Sequence, residues 1–435
     1  MRIKNQTISS QNIHNKVHDW IKKFPSLPFI LKWTLISIFI GVLVGSASAG
    51  FLQSLDWVTQ FRESHLWIIA FLPIGGFGIG LIYHYYGKEL ESGNNLLIDT
   101  IHEPQKTVPF IMAPLVYVGT IITHFLGGSA GREGTALQMA GAIADQFTKP
   151  FRLSIADRKI LLIAAVAGGF GSVFGTPLAG AVFALEFLLI GRIRYHAIFP
   201  AFITAIVSDL VTKLWQTPHT NYHIDEIPSI SFAHVAYAIF AGILFGLCAA
   251  LFSKGMQKTS AFFKKMIVYP PLRPLIGGII IAMAIWAIGT TKYIGLGIPT
   301  IVESFKTPLP IYDFAIKIVF TILTLSAGFK GGEVTPLFFI GATLGSALSL
   351  FVPLPTGLLA GMGFVAVFAG ATNTPIACSI MAIELFGVES GIYVAIACVV
   401  AYLLSGHSSI YNRQIIGEPK QTQFAEDQGK RVNEL

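Results

Sequence analysis

The sequence predicts an all-α polytopic membrane protein made of two repeats, and three observations carry that expectation. Of its 435 residues 53% are hydrophobic and only 12% charged, about half the charged share of a soluble domain. Apolar stretches of spanning length recur, as in Phe29 to Leu52, Leu66 to Tyr86 and Phe232 to Phe252; a span needs about 20 such residues, fewer where helices are broken. The second half also echoes the first at an offset of about two hundred residues, the mark of an internal repeat.

The first element is a basic segment, 1–29. Arg2, Lys4, Lys16, Lys22 and Lys23 precede the first span, and Arg413, Lys420, Lys430 and Arg431 follow the last. Positive residues stay inside, so both ends are expected in the cytoplasm with an even number of crossings. The formal charge of +7 is then explained by cytoplasmic loops and needs no nucleic acid. The polar start lacks the short apolar core and small-residue cleavage site of a signal peptide. Cys248, Cys378 and Cys398 lie in apolar runs without metal-ligand spacing, so no disulfide, metal or cofactor is expected.

The repeats come next, at 30–215 and 231–412, with a polar linker at 216–230 and a tail at 413–435. Pro73-Ile-Gly-Gly76 returns as Pro274-Leu-Ile-Gly-Gly278, with one residue inserted. Gly128-Ser-Ala-Gly-Arg-Glu133 lies opposite Gly328-Phe-Lys-Gly-Gly-Glu333. Thr176-Pro177 followed by Glu186 lies opposite Thr374-Pro375 followed by Glu384, with identical spacing. Glu186 and Glu384 each close an apolar helix and are expected to brace the fold by accepting backbone hydrogen bonds. Secondary transporters commonly place their sites where such interrupted segments meet near mid-membrane.

Each break should uncover a helix N-terminus, whose free N–H groups and partial positive charge attract anions. The candidates are Glu91-Ser-Gly-Asn-Asn-Leu96, Gly128-Ser-Ala-Gly-Arg-Glu-Gly134 and Gly331-Gly-Glu-Val-Thr-Pro336. Pro336 suits a first helical turn, which puts Thr335 at the cap with its hydroxyl free for a ligand. Uncovered backbone in hydrocarbon is costly, so these breaks should line a cavity. Glu133, flanked by glycines, can compete with an anion for the same field. Protonated, it can withdraw and carry its proton, since apolar surroundings favour the neutral carboxyl.

These segments also resemble those of the CLC anion channel and transporter family. Gly131-Arg-Glu-Gly134 is similar to its GREGP motif, Ser92-Gly93 to the start of GSGIP, and Gly331-Gly-Glu-Val-Thr-Pro336 to GxFxP. Tyr411 matches the tyrosine that closes the inner end of the anion path. The resemblance implies the CLC fold, two inverted repeats of broken, tilted helices, in a homodimer whose subunits each hold an anion pathway in the lipid bilayer. It implies Glu133 as gate and proton carrier. The anion-binding set it implies is Ser92, Gly93, Asn94, Asn95, Arg132, Gly134, Val334, Thr335 and Tyr411.

Departures from the chloride pattern point to the bacterial fluoride/proton branch. Asn94-Asn95 stand where Ile-Pro is usual, and Glu333 and Thr335 replace apolar residues. Fluoride is small and strongly hydrated, and amide and hydroxyl donors can replace its water. Phe187 occupies the place of the inner proton-transfer glutamate of chloride/proton exchangers, which that branch also lacks. Ser92, by contrast, is as in chloride transporters. The expected function is therefore a fluoride/proton antiporter exporting fluoride, not an enzyme, in a bacterial inner membrane; a chloride/proton antiporter and a passive chloride channel are the alternatives. Gly127-Gly-Ser-Ala-Gly131 fits the G-x-S-x-G of serine hydrolases, but that motif needs a preceding strand and a histidine base, for which only His124 is near.

Overall fold

The structure, a computed structural model, describes residues 26–103 and 107–435. Arg2, Lys4, Lys16, Lys22 and Lys23 of the segment 1–29 lie outside the described residues. The first half contains α1 (Leu27–Ser64), α2 (Leu72–Tyr86), α3 (Asn94–His102), α4 (Met112–Phe125), α5 (Glu133–Asp145), α6 (Ile155–Phe174), α7 (Pro177–Glu186) and α8 (Ile198–Leu214). The second contains α9 (Phe232–Met266), α10 (Leu272–Ile288), α11 (Ile298–Ser304), α12 (Asp313–Ser326), α13 (Val334–Leu348), α14 (Thr356–Thr372), α15 (Pro375–Phe386) and α16 (Gly391–Leu404). The two series correspond one to one. Their long openers have 38 and 35 residues, and α3 and α11 have 9 and 7.

Local chemistry sets the boundaries. Proline in the first turn opens α2, α7, α11 and α15, where no intrahelical N–H is lost. Ser154 and Asp157 form a capping box at the start of α6. Gly175, Gly289 and Asn373 close α6, α10 and α14 in the left-handed conformation. Among the described residues four helical stretches are long and apolar enough to cross a membrane, namely Leu27–Ser64, Leu66–Tyr86, Tyr195–Leu214 and Phe232–Met266. Other helices, such as α5, α6, α13 and α14, are buried almost all round, as central helices must be. Close approach there depends on glycine. A Cβ at Gly341 would strike the carbonyl oxygen of Gly363, and one at Gly345 that of Leu359.

Within each half the packing is the same: α1 and α6 rest on α8, and α9 and α14 rest on α16. Between halves, three helix contacts pair an element with its own counterpart, α2 with α10, α7 with α15 and α5 with α13. That pattern fits a two-fold relation. The bracing role expected of the two carboxylates follows it. Glu186 accepts the N–H groups of Ile376 at 3.2 Å and Ala377 at 2.8 Å, at the start of α15. Glu384 accepts those of Leu178 at 3.0 Å and Ala179 at 2.7 Å, at the start of α7. At the centre Gly131 and Gly332 exchange backbone hydrogen bonds of 2.5 and 2.8 Å. The N-termini of α5 and α13 thereby meet, as in two inverted repeats.

The final residues fold back on the first repeat. Strand β1 (Leu189–Ile190) pairs in parallel with β2 (Ile415–Ile416). Arg413 Nε lies 3.3 Å from Asp99, and Arg431 Nη2 lies 2.8 Å from Glu103. Gln414, wholly buried, donates to the carbonyls of Phe187 at 2.6 Å and Thr372 at 2.7 Å. Its own Oε1 accepts from Ser409 and Asn373. These bonds fix the loop that carries Tyr411.

Candidate functional site

The site begins where the two glycine breaks touch. A Cβ at Gly131 would meet the Gly332 oxygen at 3.0 Å, and one at Gly332 would meet the Gly134 nitrogen at 2.7 Å. Only bare backbone fits, so two helix N-termini face one point. Glu133, the first residue of α5, fills that point and is fully buried. Its Oε1 accepts the Thr335 hydroxyl at 2.5 Å, and its Oε2 accepts the N–H groups of Thr335 at 3.1 Å and Arg132 at 3.2 Å. The Arg132 guanidinium adds a charge 3.5 Å away. A carboxylate thus occupies the donors that the sequence assigned to an anion.

The structure corrects one detail of that assignment. Glu333, not Thr335, is the N-cap of α13, and Thr335 is the second helical residue after Val334. The helix starts two residues earlier than Pro336 suggests, just past the Gly332 that pairs with Gly131. Thr335 keeps both donors free of its own helix and spends them on Glu133. Gly134 follows Glu133 with its backbone against Gly332, and Asn94 lies beside it, its Nδ2 2.8 Å from where a Gly134 Cβ would be. Asn94 is buried, with Oδ1 unpartnered. Asn95 does not cap a helix; its Oδ1 accepts the Arg413 N–H at 3.1 Å. Gly93, at φ 56°, makes the turn into α3.

Two cavities approach this point from different sides. One, of about 470 Å³, is lined by Ser92, Gly93, Asn94, Asn95, Glu333 and Tyr411 among others. Tyr411 is 1% exposed, its hydroxyl unpartnered and its ring edge-on to Phe187 at 5.9 Å. The other, of about 740 Å³, is lined by Arg132, Arg62, His219 and Lys292 among others. Glu133 lies between Arg132, which opens to the second cavity, and Asn94, which opens to the first.

Sequence reasoning gave no site role to three residues here. Glu333 opens on the Tyr411 cavity with Oε2 unpartnered; it was visible only as a departure from an apolar motif position. Gln138 donates to the Gly134 carbonyl at 3.1 Å and borders Gly93; its one signal is a place four residues after Gly134. Lys330 lines the same cavity and was hidden inside a glycine run. The hydrolase geometry is not formed. Ser129 Oγ bonds Thr321 at 2.9 Å, and both ring nitrogens of His124 lack a partner.

Broken helices meeting end to end around a buried carboxylate, between two cavities, fit an integral membrane protein. The chain belongs to the voltage gated chloride channel family, whose model matches residues 75–406. It is 54% identical over 400 residues to a chloride/fluoride channel protein of Pseudomonas syringae pv. tomato, covering 91% of this chain and 88% of that one. It is 27% identical over 403 residues to the voltage-gated ClC-type chloride channel ClcB of Escherichia coli O81, covering 85% and 95%. The crystal structure of a CLC-type fluoride/proton antiporter aligns with a TM-score of 0.86 at 35% identity, covering 88% of this chain and 98% of that one. A slow cyanobacterial Cl−/H+ antiporter, at 17% identity and a TM-score of 0.75, covers 91% of this chain and 97% of that one and shares the fold.

Proposed function

We propose that the chain is a fluoride/proton antiporter that exports fluoride, with Glu133 as gate and proton carrier. One observation carries the reading: the Glu133 carboxylate takes both donors of Thr335. Fluoride, a compact acceptor, seeks those donors, so ion and carboxylate compete for one place. Protonation weakens the carboxyl as an acceptor and frees the donors. The fluoride/proton antiporter named above is the structural relative at 35% identity, which supports this choice of ion. Phe187, in a buried stack with Phe183 at 5.1 Å, offers no proton acceptor. Glu333 is then the carboxyl through which protons reach Glu133 from the Tyr411 cavity. Ser92 favours a second reading, a chloride/proton antiporter or passive chloride channel of the same fold.

The same reading makes the Tyr411 cavity the inner one, because the basic tail that follows it belongs on the cytoplasmic side. It sets the protein in a bacterial inner membrane as a homodimer with both termini cytoplasmic. Purified protein in liposomes, given fluoride or chloride gradients with a pH indicator, tests the assignment. Fluoride should move with protons, in opposite directions, faster than chloride. A protein that carries chloride as readily as fluoride sinks the fluoride assignment and leaves the second reading.

On this reading Ser92 and Tyr411, which both line this cavity, stand at the inner entry to the ion. Shortening both, as Ser92→Gly with Tyr411→Ala, should raise proton-independent anion leak and lower the protons moved per anion. Wild-type coupling in the double variant removes these residues from the gate.

A further inference from the structure

Each glutamate at the central break has one cation close by in sequence, and the two cations face opposite cavities. Arg132 precedes Glu133, pairs with it and lines the outer cavity. Lys330 precedes Glu333 by three residues and lines the inner one. Its first-repeat counterpart is Ala130, so the charge is peculiar to this break. The Lys330 stem crosses α4 at Gly119, where a Cβ would lie 2.9 Å from its Cγ. Its ammonium sits 3.8 Å from the centre of the Tyr83 ring. Among the described residues no carboxylate comes within ion-pair distance of it; Glu91, on the same cavity, acts on it only through space.

An ammonium on a narrow cavity wall, held by an aromatic face and no carboxylate, is left with donors for something mobile. The cavity also holds Glu333, whose charge opposes any anion that approaches Asn94 and Tyr411. We propose that Lys330 is an anion-capturing residue of the inner cavity, holding a small halide before it passes Tyr411 and offsetting the Glu333 charge. Tyr83 and Gly119 are its positioning residues. The inference deepens the transport reading above and rests on it. Lysine suits the task because a point charge with three donors binds an isotropic ion without the planar preference of arginine.

The test uses the full chain in liposomes, with initial fluoride efflux measured against fluoride concentration. Lys330→Met should raise the half-saturating concentration about tenfold, the loss of one charge-assisted contact, with a smaller effect on the maximal rate. Lys330→Cys should show the same defect. Aminoethyl methanethiosulfonate, which rebuilds a terminal ammonium, should restore it, and neutral methyl methanethiosulfonate should not. Cys248, Cys378 and Cys398 are buried and stand apart from the labelling. Rescue on the same protein separates a charge effect from misfolding. Unchanged half-saturation in both variants, or equal restoration by both reagents, overturns the proposal. If the wild type carries only chloride, the fluoride assignment fails, and the same series read with chloride still decides the role of Lys330.

Discussion

Glu133→Gln stops proton movement, to the level of protein-free liposomes. The amide cannot take up and release a proton, yet it nearly matches the carboxyl in shape. It also fits the site. Its oxygen can accept the N–H groups of Thr335 and Arg132 that now reach Oε2, while its NH2 faces the Thr335 hydroxyl, which can turn to accept. The defect therefore belongs to chemistry and not to a collapsed break. Arg132, 3.5 Å from Oε1, loses its counter-charge in the variant and becomes freer to attract an anion. Proton uptake recorded with a pH indicator during a fluoride gradient is the measurement. Proton-coupled exchange at the wild-type ratio in the Gln variant removes Glu133 from the mechanism.

Thr335→Ala lowers fluoride transport relative to chloride by about tenfold or more. The hydroxyl makes the shortest contact to Glu133, 2.5 Å from its Oε1, and it is the donor an ion in the same place would use. A hydrogen bond to a charged group contributes about 1.5–3 kcal/mol, and the smaller, more strongly hydrated ion depends on it more. Water admitted to the vacated space recovers part of that. The backbone N–H of Thr335 survives the substitution and keeps the site receptive to anions. Thr335→Ser, which retains the hydroxyl, should sit between the two. Side-by-side fluoride and chloride fluxes for the three proteins give the ratio, and an equal loss for both ions removes Thr335 from selectivity.

Much of this was legible in the sequence because breaks leave local marks. Proline and glycine state where helices start and stop, and the matched Thr-Pro and Glu of each half gave both the repeat and the clasping carboxylates. Glu133 was legible for the same reason, as a charge among glycines in an apolar chain. What stayed hidden depends on partners far along the chain. Asn95 turns its oxygen to Arg413, 318 residues away, and no pattern near Asn95 announces it. The tail at 413–435 reads as a polar end but is pinned to α3 by Asp99. Thr335 was placed two residues out because its helix starts just past Gly332, which pairs with Gly131 across the break, and not at Pro336.

The crossed carboxylates bear on how anything can move here. Glu186 and Glu384 tie each repeat to the other's helix start through four hydrogen bonds to their carboxyl oxygens. Bonds of that kind contribute roughly 0.5–1.5 kcal/mol apiece, and apolar surroundings offer the freed N–H groups no water. Swinging one half of the molecule against the other would have to break them all in every turnover. The latch makes the two halves a single stator. On the proposed reading, ion passage is left to parts that can shift without disturbing it, side chains such as Glu133 and Tyr411, so the moving mass is a few atoms wide.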